Sequence, residues 1–169
     1  MEAKKAIDSL AISTRFVLPN DTNMLNNLFG GQLMAWMDEI ASISAKRHCN
    51  RSVVTASVNN ISFKTPIPLG ANVTLEAKVS RAFNTSMEVV IDVYVEDTHS
   101  GDRTQANSAV LNFVAVNEMM RPVKVPELIP ESEEEKERYA AALRRKQLSL
   151  VLAGKLKAKE ATELKSLFE

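Results

Sequence analysis

The feature that most constrains this chain is an abrupt change of hydrophobic period near residue 50. Before it, the stretch QLMAWMDEIASISAKRHC places Leu33, Met34, Trp36, Met37, Ile40, Ala41 and Ile43 on nearly every side of a helix. After it the period is two. Val54, Ala56 and Val58 alternate with Thr55, Ser57 and Asn59, and Ile61 and Phe63 carry the run to Pro66. Pro66-Ile67-Pro68-Leu69-Gly70 reads as a turn. Val73, Leu75, Ala77 and Val79 form a second alternating run, and Met87, Val89, Ile91, Val93 and Val95 a third. A fourth, Ala106 to Val116, follows a turn at His99-Ser100-Gly101-Asp102, and Leu10 to Leu18 offers an edge strand at the front. One buried helix followed by a meander of long strands predicts an α+β fold in which an antiparallel sheet curls around the helix. A single sheet has a second face and two edges still to cover, so a homo-oligomer is expected.

The composition shifts at Arg121-Pro122, dividing the chain into a domain over residues 8–120 and a connector with a helical tail over 121–169. In the tail Ser132 is positioned to cap a helix with Glu135 as its capping-box partner, and a second helix is expected over Lys155 to Phe168. Apolar residues make up 45% of the 169, enough for a core that needs neither metal nor disulfide. Lys+Arg and Asp+Glu both number 21, which excludes a wholly basic nucleic-acid-binding surface. Cys49 is the single cysteine, so neither an intrachain disulfide nor a Cys-rich zinc site can form. The start MEAKKAIDSL lacks the apolar core of a signal peptide, and no run approaches the roughly 18 apolar residues of a membrane span. A cytoplasmic protein with no nucleic-acid or membrane partner is the expectation.

Few residues offer chemistry. There is no G-x-S-x-G elbow, and His48 and His99 have no metal-ligand spacing, so no metal is expected. His48, at the helix end, reads as structural, His99 as a solvated turn residue and Cys49 as a buried thiol. Asp38 is the misfit, two turns into the apolar helix. It either reaches a solvated rim or pairs with an Arg, or it is a partly buried carboxylate acting as general base on water. Gly30-Gly31 at the helix start either makes a tight turn or lets free backbone N–H groups approach a developing oxyanion. Base and oxyanion donors together would suit acyl transfer to water. Asn20, Asn23, Asn26 and Asn27 precede the helix, and spacing alone gives them only turn chemistry. Arg144-Arg145-Lys146, by itself, reads as a solvated helix face.

Taken together these residues resemble the hotdog-fold acyl-CoA thioesterases of the cytosolic acyl-CoA hydrolase group. The shared motif is N-x₆-GG-x₆-D, here Asn23, Gly30-Gly31 and Asp38; VVTASVNNISF, the Pro-Ile-x-x-Gly turn, RAFNTSMEV and EEEKERYAAALRRK follow in order. The resemblance, running from about residue 10 to 150, implies a long central helix wrapped by an antiparallel sheet, and a dimer whose two sheets join. It implies assembly as a hexamer, a trimer of dimers, with the active site at the dimer interface. Asp38 of one subunit, as base or nucleophile, and Asn23 of the other would then face one thioester, with the N–H groups around Gly31 polarising its carbonyl. Coenzyme A, bound as part of the substrate rather than as a cofactor, would touch Gly30, Ala56-Ser57-Val58 and Thr85-Ser86-Met87. Arg145, with Arg144, would meet its phosphates. Phe29, Met34 and Met37 would line an acyl tunnel. Many relatives have Gly where Asn26 stands, and Asn is the next-best residue if that position needs a positive φ. The resemblance leaves two other readings: a non-catalytic acyl-CoA-binding module, and a hotdog dehydratase, which would need a site histidine that the sequence does not place there.

Overall fold

The computed structural model describes residues 1–97 and 100–166. In chain order these form β1 (Lys4–Lys5), β2 (Ala11–Phe16), α1 (Gly30–Cys49), β3 (Ser52–Phe63), β4 (Asn72–Ala82), β5 (Ser86–Glu96), β6 (Arg103–Val116), β7 (Leu128–Ile129), α2 (Glu133–Leu152) and α3 (Thr162–Lys165). Five strands make one antiparallel sheet in the order β2-β4-β5-β6-β3, and β1 pairs with β7 in a short parallel ribbon. This is the hotdog arrangement, with α1 as the filling.

The inner face of the sheet follows directly from the alternation. Val73, Leu75, Ala77 and Val79 of β4 and Met87, Val89, Ile91 and Val93 of β5 are all at most 1% exposed, as are Met37, Ala41 and Ala45 of α1, which they meet. Burying each of the larger side chains contributes roughly 1.5–3 kcal/mol. α1 is not apolar-buried all round, however. Met34 and Ile43 are about 40% exposed, because the sheet wraps one side of the helix and leaves the other open.

β3 departs further from the sequence reading. Its pairing with β6 slips between Thr55 and Ser57 and again between Val58 and Asn60. Each slip is a bulge that resets the pleat. Thr55 and Val58 oppose the buried Phe113 and Leu111 on the side toward α1, yet both stay exposed at this open edge, as do Val54 and Ala56. With β3 at one end of the sheet and β2 at the other, two edges stand open.

The outer face of the sheet is covered by α2. Ser132 caps it, accepting from the Glu135 N–H at 3.1 Å, while the Glu135 carboxylate accepts from the Ser132 N–H in return. Polar contacts seat it: Lys78 to Glu135 at 2.9 Å, Arg138 to Asp92 at 2.8 Å, and Arg81 donating to the Tyr139 carbonyl at 3.0 Å with its guanidinium 3.9 Å from the Tyr139 ring. Burial alone would raise the Glu135 carboxyl, but the Lys78 ammonium and two backbone N–H groups outweigh it and hold the group below its ordinary value. The second tail helix is shorter than expected. Gly154 adopts φ +68° and the Lys155 N–H turns back to the Leu150 carbonyl, so among the described residues only the four of α3 are α-helical beyond it. Phe168 lies outside the described residues, as does His99. Among the described residues no helix is long and apolar enough to cross a membrane, and no group of three or more His, Cys, Asp or Glu could hold a metal ion.

Candidate active site

α1 starts at Gly30 without a side-chain cap. Phe29 is extended; its N–H bonds the Asp21 carbonyl at 2.8 Å and its own carbonyl takes the Leu33 N–H. The first-turn N–H groups of Gly30, Gly31 and Gln32 are the ones a helix leaves without backbone partners, and they sit at the positive end of the helix dipole. A Cβ on Gly31 would stand 2.6 Å from the Phe29 ring, so glycine keeps that ring and the backbone close.

Asp38 lies seven residues further along, about 10 Å of helix rise that the backward tilt of its side chain shortens. It is half-buried, and its Oδ1 accepts the Thr55 hydroxyl at 2.7 Å. Among the described residues Asp38 makes no ion pair with an Arg, and it stays partly open to solvent. Gly31, Met34, Ala35, Met37, Asp38, Thr55, Val58, Ile61 and Leu111 line one pocket of about 370 Å³ between α1 and the edge strand β3. A carboxylate held by one hydroxyl, opposite apolar walls and on the same helix face as free N–H donors, can activate water or attack a carbonyl carbon. Alternation alone does not single out Thr55: it faces inward in phase with Val53, and the two bulges that follow it bring Val58 and Ile61 to the same pocket wall. Phe29, expected in the acyl tunnel, does not line this pocket and is 57% exposed.

Asn23 does not line it either. It sits in the 19–29 loop, where its Oδ1 accepts the N–H groups of Leu25 at 2.9 Å and Asn27 at 3.2 Å. The Nδ2 group is left to donate outward. Asn26 takes φ 55° and its carbonyl accepts the Leu69 N–H at 2.9 Å, tying the loop to the Pro66–Gly70 turn. The positive φ is the one the sequence comparison with Gly implied.

The remaining positions divide by side of the sheet. Ala56 and Ser57 are exposed on the edge strand; Ser57 Oγ accepts from Asn112 at 3.2 Å and donates to Asn59 at 3.1 Å. Thr85, in the turn before β5, and Ser86, the first residue of β5, are half-exposed, but the Met87 side chain is fully buried in the core, so only its backbone is open to a ligand. Arg144 and Arg145 both border a groove of about 500 Å³ on the outer face, lined also by Val90 and Val110. Arg145 also makes an internal pair. Its guanidinium grips Glu88 through Nε at 2.9 Å and Nη2 at 2.6 Å, and Ser80 adds a hydroxyl at 2.6 Å to the same carboxylate. Glu88 is 1% exposed, so the pair clamps α2 to the sheet, while the Arg145 side chain keeps 31% of its surface exposed. The sheet thus separates the arginines from the Asp38 pocket of the same chain.

Away from the pocket, His48 is fully buried and its Nε2 donates to the Pro126 carbonyl at 2.9 Å, pinning the connector over the end of α1. Burial holds its pKa below the ordinary 6.5 despite that bond. Burial likewise raises the Cys49 thiol.

Comparison with known proteins places the chain. Residues 25–101 match the thioesterase superfamily. An uncharacterized acyl-CoA thioester hydrolase of Bacillus subtilis is 44% identical over 134 residues, which cover 79% of this chain and 78% of that protein. The chain belongs to the thioesterase superfamily. Among solved structures, this thioesterase is similar to an apo-hexameric acyl-CoA thioesterase, with a TM-score of 0.87 at 39% identity, covering 90% of this chain and 98% of that one. It is similar also to the acyl-CoA hydrolase of Staphylococcus aureus in complex with butyryl coenzyme A, coenzyme A and coenzyme A disulfide, with a TM-score of 0.84 at 35% identity over 97% of this chain and 99% of that one. Variants of the staphylococcal enzyme with one Asp, one Asn or one Thr replaced by alanine match with TM-scores of 0.84, 0.85 and 0.84. Some relatives are much longer: the thioesterase spans 24% of mouse acyl-coenzyme A thioesterase 11.

Proposed function

We propose that this protein hydrolyses fatty acyl-CoA thioesters to free fatty acid and coenzyme A, in sites shared between two subunits. The observation that carries the reading is the Thr55-to-Asp38 hydrogen bond inside an otherwise apolar pocket that also holds Gly31. Asp38 acts on the thioester as base toward water or as nucleophile, and the uncapped N–H groups at the start of α1 take the charge that develops on the carbonyl oxygen. The partner subunit supplies Asn23, whose free Nδ2 positions the carbonyl or the water. Three facts support this division. Asn23 does not line the pocket of its own chain, the β3 edge beside the pocket is open for a second sheet to join, and the matching solved structures include hexameric acyl-CoA thioesterases. A further support is that the three residues replaced by alanine in the staphylococcal variants stand at the same mutual spacing as Asn23, Asp38 and Thr55 here. Coenzyme A reaches this site along Gly30, Ala56-Ser57-Val58 and Thr85-Ser86, with Arg144 the arginine free to meet a phosphate and the assembly a hexamer of paired hotdogs.

Subunit mixing tests the reading. Asn23→Ala and Asp38→Ala each lose at least about 10²-fold in hydrolysis of hexanoyl-CoA, the scale of a positioned acid–base group. Unfolding and reassembling the two variants together restores about a quarter of wild-type activity, because half of the pairs are mixed and each mixed pair has one intact site. Full activity in Asp38→Ala, or no recovery on mixing, would refute it.

A further inference from the structure

Met24 and Leu25 are 100% and 78% exposed, the two large apolar side chains at the tip of the 19–29 loop. Exposed apolar residues are ordinary when scattered and mobile, but this tip is held. The Asn23 Oδ1 accepts from Leu25 and Asn27, the Asn23 N–H donates to the Asn27 carbonyl at 2.8 Å, and the Asn26 N–H returns to the Asn23 carbonyl at 3.0 Å. The loop presents both side chains in a fixed direction, largely uncovered by the described residues of their own chain. On the other side of the problem, the Asp38 pocket has apolar walls from Met34, Met37, Ile61 and Leu111 and lies open at the β3 edge.

We propose that Met24 and Leu25 of one subunit close the apolar end of the partner subunit's pocket and set the length of acyl chain it accepts. The inference rests on the reading that Asn23 of one subunit faces Asp38 of another. If it does, the next two residues lie within about 7 Å of Asn23 along the chain, alongside the substrate atoms next to the thioester. Two kinds of atom flank that carbonyl. The pantetheine arm carries amides and leads to phosphates, whose polar groups Met and Leu cannot satisfy. The acyl chain is wholly apolar and gains from contact with them. The occupant of this exposed tip is therefore a second copy of this chain with its acyl substrate, continuous with the contact that delivers Asn23.

The test compares kcat/KM on acetyl-, butyryl-, hexanoyl- and palmitoyl-CoA for wild type, Met24→Ala/Leu25→Ala and Met24→Trp. The double variant is expected to lower the hexanoyl-to-acetyl ratio roughly tenfold or more, the discrimination that a few lost methylene contacts produce. Met24→Trp, which adds bulk at the same wall, is expected to penalise palmitoyl-CoA far more than butyryl-CoA. Light scattering checks that the variants keep the wild-type mass. A variant-to-wild-type ratio that is the same for all four substrates overturns the proposal while leaving the shared-site reading intact. Wild type without turnover on any of the four overturns both.

Discussion

Arg145→Ala separates two roles for the tail helix by their energies. In this structure the guanidinium makes two charge-assisted bonds to Glu88, a carboxylate 1% exposed whose only other side-chain partner among the described residues is Ser80. Removing Arg145 leaves that carboxylate buried with one hydroxyl, a change that costs about 3–5 kcal/mol for fully buried pairs. The Arg145 side chain is 31% exposed, so water can enter where it was, and the lower end of the range, about 3 kcal/mol, is the expectation. For a chain of 169 residues that is a fall of roughly 6–12 °C in Tm. Thermal and urea unfolding at one fixed protein concentration measure it, since oligomerisation makes apparent stability concentration-dependent. Glu88→Leu/Arg145→Leu removes both charges and is expected to recover most of the loss, because an apolar pair of similar volume has no charge to desolvate. The opposite pattern would refute the reasoning: a Tm within about 1 °C of wild type for Arg145→Ala, with a raised KM for acyl-CoA, would return Arg145 to the phosphates.

Thr55→Val keeps the shape of the side chain but removes the donor to Asp38, and kcat/KM is expected to fall about 10- to 100-fold with Tm little changed, the worth of a hydrogen bond to a charged group; steady-state kinetics with unchanged values would take Thr55 out of the site. His48 supplies a pH prediction. Its folded pKa is held below 6.5 by burial, so as pH falls through 6.5 the unfolded chain takes up the proton first and stability is lost progressively toward the folded value. Melting wild type and His48→Gln at about pH 7.5 and about pH 5 should show the larger acid loss in wild type; parallel losses would mean that His48 does not titrate on unfolding.

Legibility differed from element to element for physical reasons. The strands β4 to β6 could be read because strict alternation over many residues fixes which face is inward. Asn26 and the Ser132–Glu135 box could be read because their signals are local: a φ of 55° suits few residue types, and a capping box needs two residues three apart. The inward face of β3 could not, because two bulges after Thr55 reset the pleat without changing composition and bring Val58 and Ile61 to the side that Thr55 shares. The Arg145–Glu88 pair could not be read because Glu88 is 57 positions away on another element, and an arginine reads alike whether it serves a phosphate or a buried carboxylate. Met87 was placed at a ligand contact by its motif, although the same alternation that built β5 turns its side chain into the core. The open side of α1, with Met34 and Ile43, was hidden because a sequence shows how apolar a helix is but not whose atoms cover it.

The contacts that seat α2 also report on how the sheet was assembled. Lys78 comes from β4, and Glu88 and Asp92 from β5, and all three reach the tail only because they share the outer face. A slip of either strand by one residue would turn its charged groups toward α1 and its Val and Ile toward solvent. The tail helix would then find no sheet carboxylate for Arg138 or Arg145 and no sheet ammonium for Glu135, leaving Arg138 only its own-helix partner Glu134 among the described residues. α2 therefore acts as a proofreader of strand register: it can dock only on a sheet that is already correctly paired, and its docking makes the correct pairing harder to undo.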